Sequence, residues 1–441
     1  GVFCNWRSLP SIKIPSTIRV IPRYSFYQCH KLTVVGLPQD LQEIEEWAFY
    51  DCHSLERITF PSTLKVIRFS AFLLSGLLSI DLPNGLEDIG KELFSSCKRL
   101  NSVRIPPLVD AITGSAFRAC ESMFSLELPE GISRIRRGAF ASCRSLRNLA
   151  IPINAETDDI DPFRYYEDEN GMFEDCQDLL QLFGTSRQIE EALRHRFDGM
   201  SIHKLLYYHS YYYVEATLKH LNKAIDLRSW LDCLRLLPIK LNSTGSQQDC
   251  LWMTPLHILA CSKKQSLELY RVLIEKYPDN LIVEDKWGAL PLFYALWGGA
   301  PGAIVQFLVD RHKSNFPNHE LNWGKMIKTL STKAAPLARP SLVQYERLES
   351  LLDTHQIHFF DQQIDWDNLL DGFARQLPSV KVFKFIVQYS VSGRVKSIGL
   401  KQWRTDVMNE VESIPEEEAG DTPEVDPADT RKAHLDRIRS K

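Results

Sequence analysis

The sequence predicts an α+β repeat protein, in which a solenoid of short β-strands precedes an all-α helical solenoid. Two observations lead to this fold class. In the first third of the chain, a proline recurs at steps of 22 or 23 residues. Farther along, the phrase TPLHILA at residues 254–260 returns as LPLFYAL at residues 290–296, 36 positions later. Recurrence at a fixed period of this size is the sequence signature of a solenoid.

Each period of the first solenoid predicts one coil that contains a short strand. At residues 55–61, apolar side chains alternate with polar ones, which is typical of a strand with one face inward. Pro61 has no N–H to donate to a neighbouring strand, so the strand ends there. One coil cannot bury its own apolar edge, whereas stacked coils bury a continuous one. The prolines are Pro15, Pro38, Pro61, Pro83, Pro106, Pro129 and Pro152, and a phenylalanine marks each copy at Phe26, Phe49, Phe72, Phe94, Phe117 and Phe140.

A cysteine also recurs in the coils, and its pattern predicts packing. Counting nine residues back from Pro83 places Leu74 at the cysteine position of the third copy. A column that accepts leucine is apolar, and buried free cysteine behaves as a small hydrophobe. Zinc ligands would instead converge on one point. Disulfides between coils stay an alternative, because strands about 4.8 Å apart lie within the range that a disulfide tolerates. The cysteines are Cys29, Cys52, Cys97, Cys120 and Cys143.

The pattern Cys-x-x-Leu-x-x-Ile-x-x-Pro followed by Ile-x-x-x-Ala-Phe resembles the BspA-type leucine-rich repeat. The resemblance covers about residues 1–183 and implies a leucine-rich-repeat solenoid with short β-strands. A last copy follows an acidic insertion at about 154–169, because Phe173 and Cys176 keep the spacing of earlier copies. The first copy is imperfect, because Cys4 lies 11 residues before Pro15 rather than nine. Repeats of this class are known in bacterial surface proteins and are abundant in protists.

Residues 184–330 resemble degenerate ankyrin repeats, which implies an all-α ankyrin-like helical solenoid. In the phrase TPLHILA, threonine caps a helix and proline fits its first turn. The second phrase has Asp285 and Gly288 at the expected offsets before it. The departures are Trp252, where glycine is usual, and Phe293, where histidine is usual. The combination also resembles uncharacterised microalgal (protist) leucine-rich-repeat/ankyrin proteins, a resemblance that implies no activity.

The remainder divides into a further helical repeat region at 331–410 and a tail at 411–441. A pattern that includes His312 recurs at His355, with every offset equal to 43. Histidines at matching repeat positions are expected to pack rather than to bind metal. The tail is first acidic and then basic, and it holds too little apolar surface to fold alone.

No motif predicts catalysis, a cofactor or a metal site, so the chain is not expected to be an enzyme. The stretch GLEDIGKE at residues 85–92 imitates a phosphate-binding loop, but Glu92 replaces the required serine or threonine. Nucleic acid is not an expected partner, because the net charge is −4 at pH 7. A membrane is not expected either, since glycines and a proline at 298–302 interrupt the uncharged run at 287–309. Protein partners are expected, and the oligomeric state stays open.

The strand positions that point away from the coil interior predict a polar interaction surface. Arg57, Asp81, Arg104 and Glu127 are candidate partner-binding residues, because alternating charge fixes the register of a polar partner. A merely solvated sheet face is the alternative. The two columns are Val34, Arg57, Ser79, Ser102, Ser125 and Asn148, and Gly36, Thr59, Asp81, Arg104, Glu127 and Ala150.

The helical region offers larger candidate anchors for a partner. Trp252 and Trp287 lie in the loops before each helix pair, and tryptophan is enriched at the energetic centres of interfaces. On sequence alone, replacing Trp287 is therefore expected to weaken partner capture more than replacing Arg104.

Two function classes follow from these resemblances. The first is a non-catalytic protein–protein interaction scaffold built from tandem solenoids and located inside the cell, in the cytoplasm, where thiols stay reduced. The alternative is a secreted or cell-surface adhesin-like leucine-rich repeat protein, which a glycan on the Asn242 sequon would favour. The chain begins at Gly1 without a methionine, so we expect a fragment or a processed product.

Overall fold

The computed structural model describes residues 2–157, 171–211, 214–234, 248–324, 326–327, 351–352, 354–355 and 364. Residues up to Asn315 form one compact unit, and those from Phe316 onward belong to a second. The predicted region at 331–410 lies almost wholly outside the described residues, and the tail at 411–441 lies entirely outside them. The predicted domain boundaries at residues 183 and 330 stay predictions.

The first part of the chain is a β-solenoid of short parallel strands. Partners along each row are 22 or 23 residues apart, so each coil adds one rung. We number the coils 1 to 6 by Phe26, Phe49, Phe72, Phe94, Phe117 and Phe140. The strands are β1 (Ser11–Lys13), β2 (Val20–Ile21), β3 (Val34–Gly36), β4 (Glu43–Ile44), β5 (Val66–Ile67), β6 (Asp88–Ile89), β7 (Ser102–Arg104), β8 (Ala111–Ile112), β9 (Ser125–Glu127), β10 (Arg134–Ile135) and β11 (Glu156–Thr157).

These strands form two rows. Strand β1 pairs with β3 and β7 with β9, and isolated bridges join Thr59 to Asp81 and Ser125 to Asn148 in the same row. The second row contains β2, β4, β5 and β6, and then β8, β10 and β11. We call the outward side of the first row the strand face, because it carries the two predicted columns.

The recurring phenylalanines form a continuous stack inside the solenoid. Neighbouring ring centroids are 5.1 to 6.5 Å apart. Among the described residues the stack runs from Phe3 to Phe173, so the repeat continues beyond the acidic insertion. Such aromatic pairs stabilise the fold beyond their buried area. The predicted β-solenoid is confirmed.

The ladder cysteines are buried and hydrogen-bonded. Each thiol donates to the carbonyl oxygen of the phenylalanine in the preceding coil, at 3.0 to 3.2 Å. Burial raises the pKa of Cys97 to about 12, so this thiol keeps its proton at neutral pH. The nine described cysteines are free, and the disulfide alternative does not occur among them. The donors are Cys29, Cys52, Cys97, Cys120, Cys143 and Cys176.

The assignment of Leu74 to the cysteine column is wrong. Leu74 is exposed with a backbone φ of +62°, whereas Ser75 is buried and its Oγ lies 3.2 Å from the Sγ of Cys97. The residue missing from this coil lies after Ser75, so counting back from Pro83 misses the position by one. The shortened chain brings Gly76 so close to His53 that an added Cβ would lie 2.0 Å from its carbonyl oxygen.

The second part of the first unit is helical. Thr185 caps α2 through its side chain, which accepts from the N–H of Gln188 at 3.3 Å. Helix α5 packs against α6, α7 against α8, and α5 against α7. The helices are α1 (Gln177–Phe183), α2 (Ser186–Arg194), α3 (Ser201–Tyr208), α4 (Val214–Leu234), α5 (Pro255–Cys261), α6 (Leu267–Lys276), α7 (Pro291–Gly298) and α8 (Gly302–Asn315). No helix in the described part of the chain is both long and apolar enough to cross a membrane.

The loops before α5 and α7 have the same hydrogen bonds. In the first, the carboxylate of Asp249 accepts from the N–H of Leu251 and Met253, at 2.8 and 2.9 Å. In the second, Asp285 accepts from the two matching N–H groups at 2.9 and 2.8 Å. Trp252 adopts a φ of +61°, close to the +65° of Gly288. Tryptophan in place of glycine at position 252 therefore leaves the hydrogen bonds of the loop intact. It does so in a left-handed backbone conformation that tryptophan rarely adopts.

Candidate interaction surface

The strand face is exposed in coils 1 to 3. Val34 is 60% exposed, and Arg57 and Thr59 are exposed beside it in the next coil. The side chain of Asp81 is 88% exposed, and its Oδ1 lies 3.6 Å from the Nζ of Lys263. We call this part, with Val34, Gly36, Arg57, Thr59, Ser79 and Asp81, the open half of the strand face.

The same columns are buried in coils 5 and 6. Ser125 and Asn148 are each 1% exposed, and Ala150 is buried too. The covering residues come from α3, from the 3-10 turn His209–Tyr211, and from the segment around α5 and α7. We call this part the covered half. The helical region thus packs on the side of the solenoid as well as continuing the chain from its end.

The expectation that Glu127 faces solvent is wrong. Glu127 is 1% exposed, and its carboxylate accepts from Ser262 Oγ at 3.1 Å and from Lys263 N at 2.6 Å. The hydroxyl of Ser210 donates to its other oxygen. Strand alternation shows that this side chain leaves the coil interior, but not that a helix packs over it. Glu127 therefore forms hydrogen bonds with the helical region of its own chain.

Arg104 lies at the edge of the covered half. Its guanidinium carbon is 4.5 Å from the ring centroid of Tyr211, and its Nη1 donates to the side-chain oxygen of Asn84 at 3.0 Å. The hydroxyl of Tyr211 lies 2.9 Å from the carbonyl oxygens of Ile105 and Glu127. Arg104 is half-buried and is already engaged by the helical region.

Tyr207 holds the helical region on the strand backbone. Its hydroxyl donates to the carbonyl oxygen of Leu126 at 2.8 Å and accepts from Leu128 N at 3.3 Å and Ala150 N at 3.1 Å. Burial raises the pKa of Tyr207 to about 12, so the hydroxyl stays protonated. The sequence analysis missed this residue, although the tyrosine-rich stretch at 207–213 is a visible signal.

Replacing Tyr207 with phenylalanine is expected to lower the free energy of unfolding by about 1–3 kcal/mol, because buried strand groups lose their partner. Chemical denaturation of both proteins measures this difference. Tyr27→Phe is the control, since Tyr27 is half-buried and its ring stacks on that of Tyr50. An equal effect in both variants would contradict the role given to Tyr207.

Trp287 is not a free anchor. The guanidinium carbon of Arg147 lies 4.7 Å from the Trp287 ring centroid, and Arg147 also bonds Asp178 at 2.7 Å and Tyr294 at 3.2 Å. Arg147 belongs to coil 6 and lies one position before Asn148, which forms the isolated bridge to Ser125. Replacing Trp287 is therefore expected to loosen the helical region itself. The expectation that this change weakens partner capture more than a change at Arg104 stays a prediction.

Trp252 keeps the exposure expected of an anchor. It is 54% exposed, and the Nζ of Lys286 lies 5.7 Å from its ring centroid. Beside this loop, the side chain of Arg196 is fully buried and donates to four groups: Asp249 Oδ2 at 2.7 Å, Asn148 Oδ1 and the Leu149 carbonyl at 2.9 Å, and Met253 Sδ at 3.2 Å. The Trp252 loop is thus held to the solenoid through a buried ion pair.

Among the described residues, one group of three side chains lies close enough to share a metal ion. It consists of His30, Asp51 and His53, whose ligand atoms are within 4.8 Å of one another. Spacing along the chain does not reveal this group, because His30 and Asp51 are 21 residues apart and meet only through coil stacking.

The two rows and the internal phenylalanine and cysteine ladders agree with a family comparison. The model of the BspA type leucine rich repeat region, with six copies, matches residues 1–123 and 88–218. The N-terminal part of this chain is a BspA-type leucine-rich repeat region. Proteins built from such repeats commonly mediate protein–protein interaction. No curated protein matches the chain.

Three solved structures are similar to this region. A leucine-rich repeat protein from Bacteroides ovatus is 32% identical, with 35% of this chain and 41% of that chain covered and a TM-score of 0.34. A leucine-rich repeat protein from T. pallidum is 36% identical, with 33% and 68% covered and a TM-score of 0.32. A leucine-rich cell surface protein from Faecalibacterium prausnitzii is 22% identical, with 40% and 60% covered and a TM-score of 0.25.

Proposed function

We propose that this protein is a non-catalytic protein–protein interaction scaffold, whose open half binds a partner protein. One observation carries the proposal. The covered half already binds protein segments of the same chain, while the open half presents Val34, Arg57, Thr59 and Asp81 of the same two columns to solvent. Repeat solenoids bind partners along extended faces of this kind.

The covered half also indicates which partner chemistry the open half accepts. The helical region binds through tyrosine hydroxyls on strand backbone and through hydrogen bonds to the charged Glu127. On the open half, Arg57 and Asp81 supply one charge of each sign. A polar partner segment with a carboxylate facing Arg57 and a basic group facing Asp81 fits this surface. Trp252 supplies a second, aromatic contact.

Two finer proposals concern the helical repeats and the location. Matching aspartate loops before α5 and α7 support an ankyrin-like interpretation of the helical region. The ladder thiols act as hydrogen-bond donors, which requires reduced cysteine and supports an intracellular location. Asn242 lies outside the described residues. A glycan on Asn242 in protein from its own cells would overturn the location and favour the adhesin-like alternative.

Charge reversal on the open half tests the proposed function. Arg57→Glu is expected to abolish capture of at least one partner in quantitative affinity purification. The control is Lys65→Glu, because Lys65 lies at the start of coil 3, pairs with Glu87 at 2.7 Å and is 49% exposed beside the second row. Trp252→Ala gives a second arm. If Arg57→Glu and Trp252→Ala both remain folded and capture the same partner proteins as the unchanged protein, the proposal is wrong.

A further inference from the structure

The group His30, Asp51 and His53 is built by the repeat itself. His30 and His53 directly follow the ladder residues Cys29 and Cys52, so stacking places one imidazole over the other. Their ring centroids are 4.5 Å apart, with planes inclined by 33°. Asp51 comes from the second of these coils and lies against both rings. Three ligand-bearing side chains therefore meet on two adjacent coils.

The distances within the group are close to those of a metal site. Asp51 Oδ2 lies 3.0 Å from the Nε2 of His30, and Asp51 Oδ1 lies 3.6 Å from the Nδ1 of His53. Ligand atoms of a tetrahedral site with bonds of about 2.0–2.1 Å are about 3.3 Å apart. The two distances lie on either side of that value. The ligand atoms of all three residues lie within 4.8 Å of one another, so side-chain rotations would bring them around one ion.

The backbone beneath the group is fixed by the solenoid. Asp51 adopts a φ of +55°, and its N–H donates to the carbonyl oxygen of Leu73 in the next coil at 2.8 Å. The N–H of His30 donates to the carbonyl of Gln28 at 2.9 Å. Ligands held on a rigid scaffold lose little freedom when an ion binds.

The residues that occupy the histidine position in later coils make a different interaction. In coils 4 to 6 the residue after the cysteine is Lys98, Glu121 and Arg144, and Glu121 lies 3.0 Å from Lys98 and 3.9 Å from Arg144. Those coils form opposite-charge pairs between neighbours. Coils 1 and 2 instead place two imidazoles around one carboxylate, which is a nitrogen and oxygen donor set suited to zinc.

We propose that His30, Asp51 and His53 form a binding site for Zn²⁺. The three side chains supply two nitrogen ligands and one oxygen ligand. The side chain of His53 is 50% exposed and that of His30 is 25% exposed, so the ion's fourth position faces solvent. A zinc site with three protein ligands keeps such a position for water or for another ligand.

Titration of the full chain with ZnCl₂, followed by calorimetry and by the imidazole signals in NMR, tests this site. We expect saturable binding of one equivalent, with shifts confined to the signals of His30 and His53. Asp51→Asn and His53→Ala are each expected to lower the affinity by about tenfold or more, as losses around a metal commonly do.

Two variants control for binding elsewhere. His195 is an exposed histidine that lies 2.9 Å from Asp198 and belongs to no group of three ligands among the described residues, and Cys4 is an exposed thiol. His195→Ala and Cys4→Ser should therefore bind zinc as the unchanged protein does. Absence of saturable binding, or equal affinity in Asp51→Asn and the unchanged protein, would show an ordinary hydrogen-bonded cluster and overturn the proposal.

Discussion

Replacing Asp249 with alanine is expected to lower the free energy of unfolding by about 3–5 kcal/mol, because it leaves the charge of Arg196 buried without its partner. Both side chains are fully buried, and Arg196 Nε lies 2.7 Å from Asp249 Oδ2. The substitution also removes the acceptor for the N–H groups of Leu251 and Met253. The loop before α5 and its attachment to coil 6 therefore weaken together.

Chemical denaturation of the two proteins measures this loss. Glu130→Ala is the matched control, because Glu130 pairs with Lys204 at 2.8 Å while the two side chains are 50% and 55% exposed. Exposed pairs of this kind contribute about 0–1 kcal/mol. If Asp249→Ala costs no more than Glu130→Ala, the buried pair does not hold the helical region to the solenoid.

Replacing Phe72 with alanine is expected to cost about 3–5 kcal/mol, the usual penalty for emptying a buried aromatic position. Phe72 is fully buried, and its ring lies 5.1 Å from Phe49 and 5.9 Å from Phe94. Phe3→Ala should cost less, because Phe3 is only half-buried. Phe26 is not the end position, since Phe3 lies 5.4 Å from it. Equal losses at Phe3 and Phe72 in denaturation experiments would contradict the stack.

The coil interior was predictable because every copy repeats the same packing problem. The recurring phenylalanines report which side chains face inward, and the structure confirms this. The strand predicted at residues 55–61 is present only as an isolated bridge at Thr59, while the strands of coils 1, 4 and 5 end two residues before the proline. Leu74 was assigned wrongly because coil 3 is one residue shorter than its neighbours, and the period alone does not show where in the coil that residue is missing. Only the geometry at Gly76, against the backbone of His53, shows where the coil is shortened.

The covering of the strand face was not predictable from alternation. An outward side chain such as Glu127 is exposed or buried according to what packs on it, and Ser210 is 83 residues away in sequence. A weak signal was present at the position before the first column. There the chain has Thr33, Glu56 and Leu78 in coils 1 to 3, but Phe124 and Arg147 in coils 5 and 6. The ring centroid of Phe124 lies 4.6 Å from that of Trp297, so the aromatic side chain at this position marks the covered half.

Cysteine labelling at two positions of one column tests the central claim, that the helical region covers one half of the strand face and leaves the other open. In protein whose exposed Cys4 is replaced by serine, Arg57→Cys and Ser125→Cys are compared by maleimide reaction and peptide mass spectrometry. Arg57 is exposed, whereas Ser125 is 1% exposed. The account predicts rapid labelling at position 57 and labelling at position 125 only after unfolding. Equal and rapid labelling of both positions in the folded protein would contradict it.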